Sequence, residues 1–290
     1  MASTQALKGR IRSVSKTKQI TSAMQLVAAS RMRKAQDATK ASAAYTQAAR
    51  ELLSALSTHT SVQFHPLFEK RDVKNRLIIV IASDSGLAGA FNSNLNRLYT
   101  NQLQSDRDNK VKNSTITIGK KAAQFVARIK DTEVLGSYHN LPDKPASSDI
   151  KAILATAHKA FTSGEVDAVD VIYTEYVNAV RQEAKIERVL PAGAGLVEVE
   201  AANFKDVTYE PSVEEVLDGV AYRLVGAQLF QALLDSKASE YSMRMMAMKS
   251  ATDNASDLID DLTLEMNKAR QAAITQELSE ISGGVEALND

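Results

Sequence analysis

The stretch that most constrains this chain is its last one. From Ser212 to about Leu288 there is no proline, and the only glycines ahead of Gly283-Gly284 are Gly219 and Gly226. Nothing in it stops a helix. At 1.5 Å per residue, roughly 70 helical residues extend on the order of 105 Å. That is several times the usual helix and more than a domain of this size requires. Such a helix must be paired along its course or held by something else.

The N-terminal end supplies a candidate. Residues 4 to about 57 contain no proline and only Gly9. Leu7, Ile11, Val14, Ile20, Met24, Val27, Ala28, Ala35, Ala38, Tyr45, Ala49, Leu52, Leu53 and Leu56 recur mostly at spacings of three and four, with Lys18 as a polar interruption. That pattern predicts a second long helix. The rival is two or three shorter helices in a bundle, but no proline, glycine cluster or cap breaks the run convincingly.

Between them the period changes. His59 to Lys74, with Pro66, reads as a connection. Leu77 to Ala82 is a continuous apolar run, as in a strand buried on both faces. Ser83-Asp-Ser-Gly86 is a turn, and Leu87 to Phe91 leads into a helix ending near Leu103. Further strands are expected at 114–118, 134–135, 168–176 and 184–190, with an edge strand at Leu196–Val199; helices are expected at 119–129 and 148–161. Strands alternating with helices imply a mostly parallel sheet with helices on its faces. The expected fold is therefore α/β plus a long antiparallel coiled coil. Residues 1–57 and 212–290 form a shaft, a Rossmann-like α/β domain at 74–205 is inserted between its arms, and 58–73 and 206–211 connect the two.

If both helices start and finish at the inserted domain, they run antiparallel with bases near Leu56 and Ser212. The chain's beginning then falls beside about Glu265 to Lys268, and the rest of the C-terminal helix has no partner within the chain. Yet that overhang carries Ile274, Leu278, Ile281, Val285 and Leu288 at spacings of four and three. An exposed apolar stripe asks for a partner; a frayed or folded-back tail is the alternative.

Charge sharpens the picture. The net charge is zero, but Lys8, Arg10, Arg12, Lys16, Lys18, Arg31, Arg33, Lys34 and Lys40 make the beginning basic, while Asp253, Asp257, Asp260, Asp261 and Glu265 lead an acidic end. The termini are expected to lie side by side or to face different partners. The basic helix has no aromatic interleaving before Tyr45, which disfavours nucleic acid. With no cysteine, disulfides and thiolate chemistry are excluded. No apolar run approaches the ~20 residues that cross a bilayer. His59 and His65 lack a third ligand at metal spacing, so no metal is expected. Ser83 to Gly89 could cradle phosphate, but it lacks a third glycine and a Gly-Lys-Ser/Thr, and Gly86 and Gly89 are read as serving the turn. Met243-Arg-Met-Met-Ala-Met248 is read as packing in a thin coiled coil rather than an adaptable binding surface.

Several segments together resemble the gamma subunit of F-type ATP synthases over essentially the whole chain. They are Ile11–Met24 continuing to Ala35, Ser83–Asn92, Met246–Asn254 and Asn267–Ile281. Ser85 stands where that family usually has Arg or Lys, and Gly284-Val285 where it has small residues. The resemblance implies a non-catalytic, cofactor-free rotor in the central stalk. It implies that the rotor couples proton-driven ring rotation to the catalytic sites on beta and regulates ATPase activity and proton flow. The implied partners are the alpha, beta and epsilon subunits and the membrane c-subunit ring, with membrane association only through the complex. The implied place is the cytoplasmic side of a bacterial plasma membrane. Matched by motif, Arg270, Gln271, Ile274, Thr275, Glu277, Leu278, Ile281, Arg244 and Met24 are expected to meet alpha and beta. Lys16, Lys18, Arg31, Arg33 and Lys34 are expected to face acidic surfaces on beta, and Tyr209, Glu210 and Pro211 to lie near the ring and epsilon. A coiled-coil adaptor and an α/β nucleotide-binding enzyme with helical arms are the rival readings.

Overall fold

The structure, a computed structural model, describes residues 4–58, 65–130, 132–193 and 213–289, with side chains over 4–53, 65–130, 132–193 and 219–282. Tyr209, Glu210, Pro211 and the expected strand at Leu196–Val199 lie outside the described residues, as do the side chains of Val285 and Leu288. Two helices dominate, α1 (Thr4–Thr58) and α5 (Val213–Asn289). Between them come β1 (Asn75–Ile81), α2 (Phe91–Asp108), β2 (Lys112–Ile118), α3 (Lys120–Val126), β3 (Glu133–Tyr138), α4 (Lys151–Thr162), β4 (Ala168–Tyr176) and β5 (Gln182–Leu190). The chain forms two compact units, one of Met1–Ala28 with Met245–Asp290 and one of Ala29–Arg244.

The larger unit is built on a five-stranded sheet ordered β3-β2-β1-β4-β5. β1 pairs in parallel with β2 and β4, β2 pairs in parallel with β3, and β5 is antiparallel to β4. Side chains alternate across β1. Leu77, Ile79 and Ile81 pack with Leu53, Phe161, Leu229 and Leu233 on the face covered by α1, α4 and α5. Ile78 and Val80 pack with Phe91, Leu95, Tyr99 and Val126 on the face covered by α2 and α3. A strand apolar on both sides is what a doubly covered sheet demands. A buried ion network pins the second face: Asp170, 2% exposed, accepts from Arg76 and Arg188, and Arg76 Nε lies 3.0 Å from Asp106 Oδ2.

The two long helices cross the first face in opposite directions. Along α1, Gln36 donates to Tyr176 Oη at the end of β4, and Arg50 reaches Glu187, which pairs with Val171 further back along that strand. Along α5 the order reverses: Ser236 Oγ accepts from Thr174 N, Ser239 Oγ donates to Thr174 O, and Ser242 Oγ donates to Ala179 O beyond the strand.

In the smaller unit, Thr21 and Thr252 share a hydroxyl–hydroxyl bond of 2.7 Å between α1 and α5. In an antiparallel pair that bond sets Thr4 opposite Ala269, a little beyond the expected Glu265–Lys268. Burial agrees with this register. On α5, Met248, Thr252, Ala255, Ile259, Leu262, Met266 and Ala269 are buried or half-buried, and Arg270 to Ser282 are all exposed. These seam positions alternate in spacings of four and three, the heptad of a coiled coil. The α1 seam differs from the expected stripe. It runs Leu7, Ile11, Val14, Lys18, Thr21, Gln25, Ala28, Met32, Ala35, Thr39, Ser42, Thr46, Ala49, Leu53, whereas Ile20, Val27 and Tyr45 are 60%, 53% and 58% exposed. Heptad position, not hydrophobicity, decides which side chains face inward, so Lys18 belongs to the seam rather than interrupting it.

Candidate functional site

The overhang of α5 places most of the expected partner-binding residues together. At 100° per residue, Ile274, Leu278 and Ile281 form a narrow apolar stripe. Arg270 and Glu277 flank it on one side, Gln271 and Thr275 on the other, within about 160° of circumference. The rest of the circumference is Ala272, Ala273, Gln276, Ser279 and Glu280. Ile274, Leu278 and Ile281 are 49%, 60% and 64% exposed. Thr275 Oγ1 donates to Gln271 O at 3.0 Å and Ser279 Oγ to Thr275 O at 2.9 Å, so these hydroxyls serve the helix itself. The stripe does not continue the seam. It is turned from it by about 100°, and past Ala269 the seam face becomes Ala273, Glu277 and Glu280. The helix loses its inner apolar face where α1 begins and gains a new one pointing elsewhere.

The charges of the smaller unit are also left open. Lys8, Arg12 and Lys16 on α1 and Asp253, Asp257, Asp260 and Asp261 on α5 are exposed. No ion pair joins the two sets among the described residues. Met24 is half-buried in the same unit.

Arg244 belongs to the larger unit, and its surroundings differ from the expectation of a partner contact. It is buried, with Nη1 2.6 Å from Glu240 Oε1. Its Nη2 donates to Ser85 Oγ at 3.0 Å and to the carbonyls of Ser85 and Gly86 at 3.3 Å. It thereby holds α5 to the loop after β1, where Leu87 sits at φ 62° with its side chain exposed. Tyr241, beside it, donates to Asp143 Oδ1 at 2.5 Å, and Arg31 of α1 lies 3.4 Å from Asp143 Oδ2. Burial pushes the Tyr241 hydroxyl above its ordinary range, so it remains a donor. Arg33 and Lys34 are exposed. The methionine run is divided: Met248 is buried, Met243 packs beside the α2–α3 core, and Met246 is exposed.

The turn after β1 lies where a doubly wound sheet would hold a nucleotide, at the reversal of strand order between β1 and β4. Here that place is filled. Asp84 occupies the start of α3, accepting from Lys120 N and Asn140 N at 3.1 Å each. Gly119 is pressed so close that an added Cβ would stand 2.2 Å from Ala82 O. The crevice walled by Asp84, Phe91, Gly119, Leu233, Ser236 and Glu240 keeps about 10 Å³, the room of a single water. Gly89 supports the turn with φ 55°, whereas Gly86 has open space around it. His65 is buried against Phe68, His139 is exposed and His158 packs on Tyr222; no metal-binding group occurs among the described residues. Among them, too, no helix is long and apolar enough to cross a membrane.

Three comparisons extend these observations. Residues 3–288 match the family model described as ATP synthase. The ATP synthase gamma chain of Ralstonia nicotianae is 40% identical over 292 residues, covering 99% of this chain and 100% of the relative. That of Stenotrophomonas maltophilia is 41% identical over 289 residues, with the same coverage. A chain from the central stalk and c-ring of Tetrahymena thermophila mitochondrial ATP synthase superposes with TM-score 0.58 at 25% identity, covering 80% of this chain and 99% of that one. A chain from the OSCP/F1/c-ring part of Euglena gracilis mitochondrial ATP synthase gives TM-score 0.67 at 17% identity over 98% and 94%, a likeness of fold.

Proposed function

Because the chain belongs to the ATP synthase gamma chain family over nearly its whole length, we propose that it is the central-stalk rotor of a proton-translocating ATP synthase. It carries no catalytic centre of its own. Its task is to transmit rotation from the membrane ring to the catalytic sites on beta, and thereby to regulate hydrolysis and proton flow. The observation that carries this is the exposed Ile274–Leu278–Ile281 stripe on a helix that has outrun its partner.

The geometry suits the task. An apolar stripe with Arg270 and Glu277 on one flank and Gln271 and Thr275 on the other presents unlike faces in different directions. As such a tip turns inside a ring of alpha and beta subunits, each beta meets a different face in turn. Differential contact free energy then sets which nucleotide state each site prefers. Exposed Lys8, Arg12 and Lys16 suit acidic surfaces on beta, and Met24 lies in the same region. Arg244 acts here through the Ser85–Gly86 loop, which it holds in place for contact. Tyr209, Glu210 and Pro211 are assigned to the ring and epsilon by family position alone. The complex is placed on the cytoplasmic side of a bacterial plasma membrane, with this chain attached through its partners.

The test is truncation after Lys268 in the assembled enzyme, reading complex yield and ATP-driven proton pumping. Loss of both supports the rotor-tip assignment. A truncated chain that assembles and couples like the full one overturns it.

A further inference from the structure

We propose that Asp235 is the proton-binding group of a pH-sensitive joint that seats α5 on β4 and β5. Asp235 is 8% exposed. Among the described residues its hydrogen-bond partner is neutral: Gln231, one turn earlier, donates Nε2 to Oδ1 at 3.1 Å. The charged and titratable groups acting on it are Arg50 from α1, Tyr173 and Glu175 from β4, and Lys185 from β5, with Glu187 of β5 next beyond, on Arg50 and Tyr173.

The two cations of this group are already engaged. Arg50 lies 2.5 Å from Glu187 Oε1, and Lys185 Nζ lies 2.7 Å from Glu175 Oε1 and 3.9 Å from Glu187 Oε2. Tyr173 donates its hydroxyl to Glu187 Oε2 at 2.7 Å. Two cations thus serve this group of three carboxylates, and among the described residues Asp235 is the one in no ion pair. An uncompensated buried charge is costly, and a proton on the carboxyl removes that cost.

A second observation points the same way. Gln231 Oε1 is buried and has no donor among the described residues. A carboxylic acid and a primary amide form a two-way pair: the amide N–H goes to the acid carbonyl, and the acid O–H goes to the amide oxygen. The first of these bonds is present, and a proton on Asp235 supplies the donor for the second. Burial, helped by Glu175, holds the Asp235 carboxyl up at about 7 against the Gln231 bond, Lys185 and Arg50, which lower it.

The sign follows from linkage. The unfolded carboxyl titrates near its ordinary value of about 4, and the seated one well above it. The neutral form's contribution is complete below about pH 4 and is lost as pH rises to about 7, after which it changes no further. Acid therefore tightens the seating of α5, and alkali loosens it.

Hydrogen exchange of the amides around Asp235, residues 228–242, tests this on the full-length chain between pH 5 and 8.5, corrected for intrinsic exchange and compared with Asp235→Asn. The wild-type chain is expected to lose protection relative to the variant by up to about tenfold per pH unit until about pH 7, then level off. Equal pH dependence in the two chains overturns the proposal. Should the variant fail to fold, the ¹³C carboxyl shift of Asp235 in the wild-type chain decides: a midpoint near 7 upholds the joint, and one near 4 overturns it.

Discussion

Two stretches of α5 invert the usual rule of inside and outside. Between Gln228 and Arg244 the helix is nearly all buried, yet it carries Gln228, Gln231, Asp235, Ser236, Ser239, Glu240, Ser242 and Arg244. Between Arg270 and Ser282 it is wholly exposed, yet it carries Ile274, Leu278 and Ile281. The first stretch teaches how a long helix is held in one place. Buried hydroxyls and a guanidinium must find their partners, and finding them at Thr174, Ala179 and Ser85 fixes the helix along and around its axis. The second teaches how a helix is left able to engage something else. Its hydroxyls bond only within the helix, and its apolar side chains stay exposed.

Mutations should separate the two. Leu233→Ala empties a site 1% exposed beneath α5 and is expected to destabilise the isolated chain by about 2–5 kcal/mol in denaturant unfolding. Ser236→Ala removes the acceptor of the Thr174 amide and should cost about 1–3 kcal/mol. Thr21→Val with Thr252→Val replaces both members of a half-buried hydroxyl pair. The change in stability should stay within about 1 kcal/mol, because no orphan is left. Leu278→Ala should move the isolated chain by no more than about 0.5 kcal/mol while lowering the thermal stability of the assembled complex. A Leu278→Ala chain as damaged in isolation as Leu233→Ala would erase the contrast.

Much of this was legible in the residues, for physical reasons. The switch from helical to strand spacing at Leu77 marks the sheet, and β1 to β5 fall at or near the expected positions, with β5 antiparallel. The overhang follows from counting, and Thr21–Thr252 moves its start only slightly. Apolar residues alone could not identify the α1 seam. Ile20 and Val27 face outward, while Lys18, Thr21 and Gln25 turn inward, because on a thin helix pair position in the heptad outweighs side-chain type. Motif position makes Arg244 an expected partner contact, and nothing local announces its bond to a loop 158 residues away. The acid–amide pair is hidden in the sequence for a different reason. Gln231 and Asp235 stand four apart, a spacing the sequence shows openly, but their burial depends on β4 and β5 arriving opposite.

The claim that the exposed end of α5 is the part of this chain made for a partner has a direct measurement, amide hydrogen exchange over residues 270–282 in the isolated chain and in the assembled ATP synthase. In isolation, an unpaired helical end should exchange rapidly, with little protection. In the complex the same amides should become strongly protected, while residues 228–242 change little. Equal exchange of 270–282 in both states would contradict the account.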